Sequence, residues 1–76
     1  MITVKLYGLL RVESGIKTLQ TEADSIKTLY ARLQEAGLDK QALKGCYVRI
    51  NDIPASGNRK LKDGDVVQLL PPVAGG

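Results

Sequence analysis

Few groups in this sequence could carry out chemistry. Histidine is absent, which removes the commonest general base and metal ligand. The single cysteine, Cys46, has no second cysteine or histidine to complete a metal site, and its place in an alternating stretch reads as a small buried hydrophobe rather than a redox or sulfur-relay group. Tyr7, Tyr30 and Tyr47 read as packing residues. What remains is the chain end, Pro71-Pro72-Val73-Ala74-Gly75-Gly76. The two prolines fix φ and favour an extended polyproline II path, so a tail built on them projects with little conformational freedom left to lose on binding. Val73 can anchor in an apolar niche, while Ala74, Gly75 and Gly76 are narrow enough to thread a channel in a partner. The group such a tail presents is the Gly76 carboxylate, a poor electrophile that must be activated before it reacts. The alternative is a frayed terminus without a role, for which the proline stiffening would serve nothing.

The elements that must position this tail can be read from periodicity. Ile2, Val4 and Leu6 alternate with Thr3, Lys5 and Tyr7, the pattern of a half-buried strand that Gly8 ends. A weaker alternation over 16–22 reads as the return strand of a hairpin whose loop is Gly8 to Gly15. Asp24 or Ser25 can cap a helix, and Ile26, Leu29, Tyr30 and Leu33 then recur at helical spacing as one stripe facing a sheet. Gly37 closes that helix, and Leu38 to Lys44 has the spacing of a short helical turn. Cys46, Val48 and Ile50 alternate along a third strand ending at an Asn51-Asp52 turn. Ile53 and Pro54 begin an irregular segment, Lys62-Asp63-Gly64-Asp65 is a turn, and Val66 to Leu70 is the final strand. The expectation is an α+β fold with a mixed sheet of four to five strands covered by one main helix. It comprises a domain over 1–70 and an extended, flexible tail over 71–76.

Composition narrows the function. The chain has 76 residues, 43% of them hydrophobic, enough for one small globular domain. With no Trp and no Phe, the core must be aliphatic, with little room for an internal ligand pocket. The apolar runs fall far short of the ~20 residues a membrane helix needs, and nothing resembles a signal peptide, so the expectation is a cytoplasmic protein. The net charge of +3 is spread along the chain. Its densest basic cluster, Arg59, Lys60 and Lys62, reads as a solvated turn or a docking surface for an acidic partner. The aromatic platforms that would favour nucleic acid are missing. A self-contained enzyme is not expected.

The start "ITVKLYGLLR", the turn "LKDGDVVQLLPPV" and the closing Gly75-Gly76 together resemble the MoaD/ThiS family of sulfur carriers, which share the β-grasp fold with ubiquitin. Within it, "LLPPVAGG" is most similar to the small subunit of molybdopterin synthase. The resemblance implies that a partner of ubiquitin-activating type, an ATP-dependent adenylyltransferase and sulfurtransferase, converts the Gly76 carboxylate to an acyl-adenylate. Sulfide from a persulfide donor then displaces AMP and leaves a thiocarboxylate. It also implies a tail, Pro71 to Gly75, that binds partners, an acceptor synthase large subunit, no bound cofactor or metal, and ATP used only by the activating enzyme. Thiamine or amino-acid biosynthesis are alternative destinations for the sulfur. A ubiquitin-like modifier joined to lysines through Gly76 is an alternative of another class.

Overall fold

The computed structural model describes residues 1–72. Five strands and three helices follow one another as β1 (Ile2–Leu6), α1 (Gly8–Ser14), β2 (Thr18–Thr21), α2 (Ile26–Glu35), α3 (Lys40–Lys44), β3 (Tyr47–Ile50), β4 (Ile53–Ala55) and β5 (Val66–Leu70). The strands form one mixed sheet in the order β2-β1-β5-β3-β4. β5 lies parallel to β1 and antiparallel to β3. This is the expected β-grasp arrangement, with Val4, Val48 and Val67 in a single sheet.

Alternation sends Ile2, Val4, Leu6, Val67 and Leu69 to one face of the sheet, where all five are buried. Leu29 and Leu33 of α2 meet them there at 0% exposure, Ile26 is buried with them, and Tyr30 packs half-buried at the margin. Leu10, Leu38, Leu43, Ile50 and Leu61 complete a core that is wholly aliphatic, as the absence of Phe and Trp requires. Ser25 is the N-cap, its Oγ accepting from the Thr28 backbone N–H at 3.2 Å, while Asp24 accepts from the Thr28 hydroxyl at 3.0 Å. At the other end Leu38 N–H donates to the Leu33 carbonyl and Gly37 N–H to that of Gln34, each at 3.0 Å. Gly37 takes φ +104°. This paired closure needs a left-handed residue at that position and folds Leu38 back into the core.

The structure corrects three expectations. The Gly8–Gly15 stretch is not an open hairpin loop but the two-turn helix α1, closed by Gly15 at φ +72°. A helix of seven residues is marginal by itself; here Leu10 anchors it in the core while Leu9 and Val12 stay exposed. The return strand is shorter than read, covering Thr18–Thr21. Ile53 and Pro54 are not irregular but belong to β4, joined to β3 through Asn51 and Asp52 at φ 52° and 69°. Two successive positive φ values make the tight hairpin turn whose twist matches the strands. Pro54 is tolerated because β4 is an edge strand and need not donate outward. The main helix over the sheet is α2, as expected, and the expected short helical turn is α3.

Candidate functional site

β5 delivers the tail. It lies between β1 and β3, and its register is set at its start by the turn before it. Asp65 Oδ2 accepts from the Lys62 N–H at 2.8 Å and its Oδ1 from Asn51 Nδ2 at 3.0 Å. Asn51 also accepts from the Val66 N–H at 2.9 Å and donates its own N–H to the Val66 carbonyl at 2.8 Å. The "DGD" turn is thereby clamped to the β3–β4 hairpin. These donated hydrogen bonds hold the Asp65 carboxyl below the ordinary carboxylate range, the Lys62 amide contributing most and Asn51 next.

At the far end of β5, Tyr7 N–H donates to the Leu69 carbonyl at 3.3 Å and Leu70 sits opposite Tyr47. Pro71 is half-buried and rests on Gly8. A Cβ built at Gly8 would lie 2.7 Å from Pro71 Cγ, and Gly8 itself takes φ +59°. Glycine is therefore required there twice over, by backbone conformation and by the approach of the proline ring. One built at Gly45, just past α3, would lie at an ordinary 3.9 Å from Pro72 Cδ. The root of the tail thus passes between the start of α1 and the end of α3. It borders an open groove of about 790 Å³ lined among others by Leu9, Leu38, Ala42, Cys46, Pro71 and Pro72. Val73, Ala74, Gly75 and Gly76 lie outside the described residues.

Cys46 was expected to be buried. It is only partly buried, because it precedes β3 at the mouth of this groove, and its Sγ donates to the Ala42 carbonyl at 3.2 Å. Burial pushes its thiol pKa up, which lowers the thiolate fraction and hence its nucleophilicity. Tyr30, desolvated first by burial and then disfavoured as an anion by Cys46, has its pKa raised to about 12. Tyr47 departs from the packing role read from sequence: it is 66% exposed, on the sheet face opposite the helices. Arg59, Lys60 and Lys62 have exposed side chains, but their backbone is a strap. Ile26 N–H donates to the Arg59 carbonyl and Leu61 N–H to that of Asp24, each at 2.9 Å. This strap lies by the start of α2, at the end of the sheet opposite the tail. Among the described residues no cluster of three Cys, Asp or Glu side chains could hold a metal ion, and no helix is long and apolar enough to cross a membrane.

A family model described as the ThiS family matches residues 4–76. The chain belongs to the ThiS family. Among solved structures, subunit 1 or 2 in the complex of molybdopterin-converting factor from Helicobacter pylori is 37% identical, with 99% of this chain and 97% of that one covered and a TM-score of 0.77. A chain of the BexX/CysO complex from Amycolatopsis orientalis is 26% identical, with both chains covered at 100% and a TM-score of 0.67. SAMP1 from Haloferax volcanii, at 23% identity, 99% and 98% coverage and a TM-score of 0.84, shows the same fold. No curated protein sequence is similar enough to this chain to match. This ThiS-family chain is thus built as a ubiquitin-like sulfur carrier. Sequence reasoning found the turn and the proline pair but missed Gly8 and Gly45 at the tail root. The signal at Gly8 is a glycine that ends an alternating strand.

Proposed function

We propose that this chain carries sulfur as a thiocarboxylate on Gly76, formed after a ubiquitin-activating-type enzyme has adenylated that carboxylate with ATP, and that it delivers the sulfur to molybdopterin synthesis. The observation that carries the reading is the 37% identity, over almost the whole of both chains, with a subunit of the Helicobacter pylori molybdopterin-converting factor complex. The family match extends through Gly76. The geometry of the tail root supports it. β5 is held by a neighbour on each side, and Pro71 is seated on Gly8, so Pro71 and Pro72 leave the sheet in a direction set by the fold.

In this mechanism the domain supplies no general base. The activating enzyme joins the Gly76 carboxylate to AMP with release of pyrophosphate; the outer sulfur of a persulfide then attacks the acyl carbon and expels AMP, and a second thiol cleaves the S–S bond by forming a disulfide with the donor, so that a C–S bond replaces one C–O bond. At the acceptor's large subunit, to which the tail is presented, the thiocarboxylate sulfur attacks the pterin substrate, and water then cleaves the C–S bond, leaving the sulfur on the pterin and returning Gly76 to a carboxylate. The partly buried, pKa-raised Cys46 takes no part.

The test is mass spectrometry of the full chain after incubation with the activating enzyme, ATP and a sulfide donor. The mass should rise by the difference between sulfur and oxygen, about 16 Da, at an activated carboxyl that is otherwise inert. Deleting Gly76 should abolish the gain; equal loading of the deletion variant would overturn the reading. Addition of the molybdopterin-synthase large subunit and its pterin substrate should return the carrier to its starting mass. Isopeptide-linked conjugates in place of the thiocarboxylate would move the assignment to a protein modifier.

A further inference from the structure

Strand β2 ends the sheet on one side, and among the described residues no strand lies beyond it. In an antiparallel ladder each residue turns its N–H and C=O to the same side, and the side alternates along the strand. Leu6 N–H donates to the Lys17 carbonyl at 3.0 Å, and Leu19 and Thr21 follow in register with Val4 and Ile2. Lys17, Leu19 and Thr21 therefore spend their peptide groups on β1. Thr18, Gln20 and Glu22 turn theirs outward, and all three residues are exposed.

An edge strand is a template for another chain unless proline, charge, a bulge or shortness blunts it. The opposite edge, β4, is blunted: it has three residues, and one of them is Pro54. β2 is not. Its sequence Thr-Leu-Gln-Thr holds neither proline nor charge, and it pairs with β1 without a bulge. The charges lie around it instead. Gln20 Nε2 donates to Thr3 Oγ1 at 3.4 Å on the sheet face opposite the helices, and by alternation Thr18 and Glu22 point to that face too. Lys5 stands beside Thr18 on the same face. Glu22 lies 3.4 Å from the Met1 amino group, which Asp63 also pairs, so Glu22 can turn elsewhere without leaving that cation unpaired.

We propose that β2 pairs antiparallel with β2 of a second copy of this chain, about a two-fold axis at Gln20. In this register Gln20 faces the partner's Gln20 and Thr18 faces the partner's Glu22, so all three outward residues of each strand are used. Lys5, Thr18 and the partner's Glu22 then form a row across neighbouring strands. The Cα atoms of Lys5 and the partner's Glu22 lie about 10 Å apart, two strand spacings, within reach of two long side chains, and the two-fold makes this ion pair twice. On the helical face half-buried Leu19 comes opposite the partner's Thr21. The axis reverses strand direction, so the two copies of β5 lie about 24 Å apart, five strand spacings, and run in opposite directions. Pairing leaves both tail roots uncovered, and the inference stands independently of the carrier reading.

A contact of two short strands buries little area, so the dimer is a weak one, with a dissociation constant of about 0.1–1 mM. The test is sedimentation equilibrium of the full chain up to millimolar concentration at low salt, with amide hydrogen exchange followed by NMR. Raising the concentration should slow exchange at Thr18, Gln20 and Glu22 and leave Leu19 and Thr21, already bonded to β1, as they were. Gln20→Lys sets two ammonium groups opposite each other across the axis and should weaken the dimer at least about tenfold, with the thermal stability of the monomer unchanged. Lys5→Glu and Glu22→Lys should each weaken it about two- to fivefold, and the double variant, which exchanges the two charges, should restore it. The proposal is overturned if the chain stays monomeric at millimolar concentration, if the dimer is insensitive to Gln20→Lys, or if the double variant is as weak as the single ones. Protection of the same three amides only when the activating enzyme is added would give the edge to that enzyme and overturn self-pairing as well.

Discussion

Replacing the two tail prolines by glycine one at a time separates what each does, because the structure places them differently. Pro72 is exposed and makes only an ordinary approach to Gly45, so Pro72→Gly removes stiffness and almost no packing. A Pro-to-Gly change widens the unbound tail's conformational range by about 0.4–1 kcal/mol, and a partner that fixes the tail must remove that freedom again. Binding of the activating enzyme should therefore weaken about two- to fivefold, with thermal stability unchanged. Pro71→Gly has the same effect on the tail but also removes a ring seated against Gly8, so it should lower the melting temperature as well. The assay pairs calorimetric titration with the activating enzyme against thermal unfolding of the free chain. Unaltered binding of Pro72→Gly, or a clear loss of thermal stability in that variant, would refute the idea that Pro72 acts by restricting the free tail.

Other perturbations test the remaining parts of the account. Leu33→Ala empties a site at 0% exposure beneath the sheet and should cost about 2–5 kcal/mol in chemical denaturation; a loss under 1 kcal/mol would mean that the site can collapse. Asp65 has its carboxyl pKa depressed in the fold, so its stabilisation is present above the unfolded value of about 3.9. It is lost as pH falls through the lower folded value. Asp65→Asn should therefore flatten the acid limb of the stability curve below pH about 4, and an unchanged limb in a pH series of urea melts would contradict the hydrogen-bond network. Cys46, with its thiol pKa raised by burial, should react with iodoacetamide more slowly at neutral pH than an unstructured cysteine. Cys46→Ser should still be loaded at Gly76, and a loss of loading would shift the sulfur chemistry to the side chain.

Much of the fold was legible because the responsible signals are local. The alternation Ile2-Val4-Leu6 and the stripe Ile26-Leu29-Leu33 each state which face is apolar, and the buried set confirms both. Ser25 and Gly37 mark the ends of α2 through backbone requirements confined to a few residues. The "DGD" turn and the proline pair were likewise visible, and with the glycine pair they carried the family resemblance. No pattern of apolar spacing announced α1: of its residues only Leu10 is buried, and one anchoring side chain leaves no periodicity. β4 was hidden because Pro54 argues against a strand wherever both neighbours need its N–H, and only the sheet order reveals that β4 has one neighbour.

The sequence by itself determined the faces of β1 and α2, the aliphatic core and the turn before β5. These follow from residue type and near-neighbour spacing. Tertiary structure alone decided what surrounds the tail root, because Gly8 and Gly45 are far in the chain from Pro71 and Pro72 and approach them, respectively, only when β1 and β5 run parallel with α3 packed beside them. It also decided that Lys5, Arg49, Tyr47 and Leu70 share the sheet face opposite the helices, since strands β1, β3 and β5 bring them together through hydrogen-bond register rather than through sequence. Cys46 and Tyr47 show the limit most directly. Their types and alternation are plain in the sequence, yet how much water each sees depends on what the helices leave uncovered.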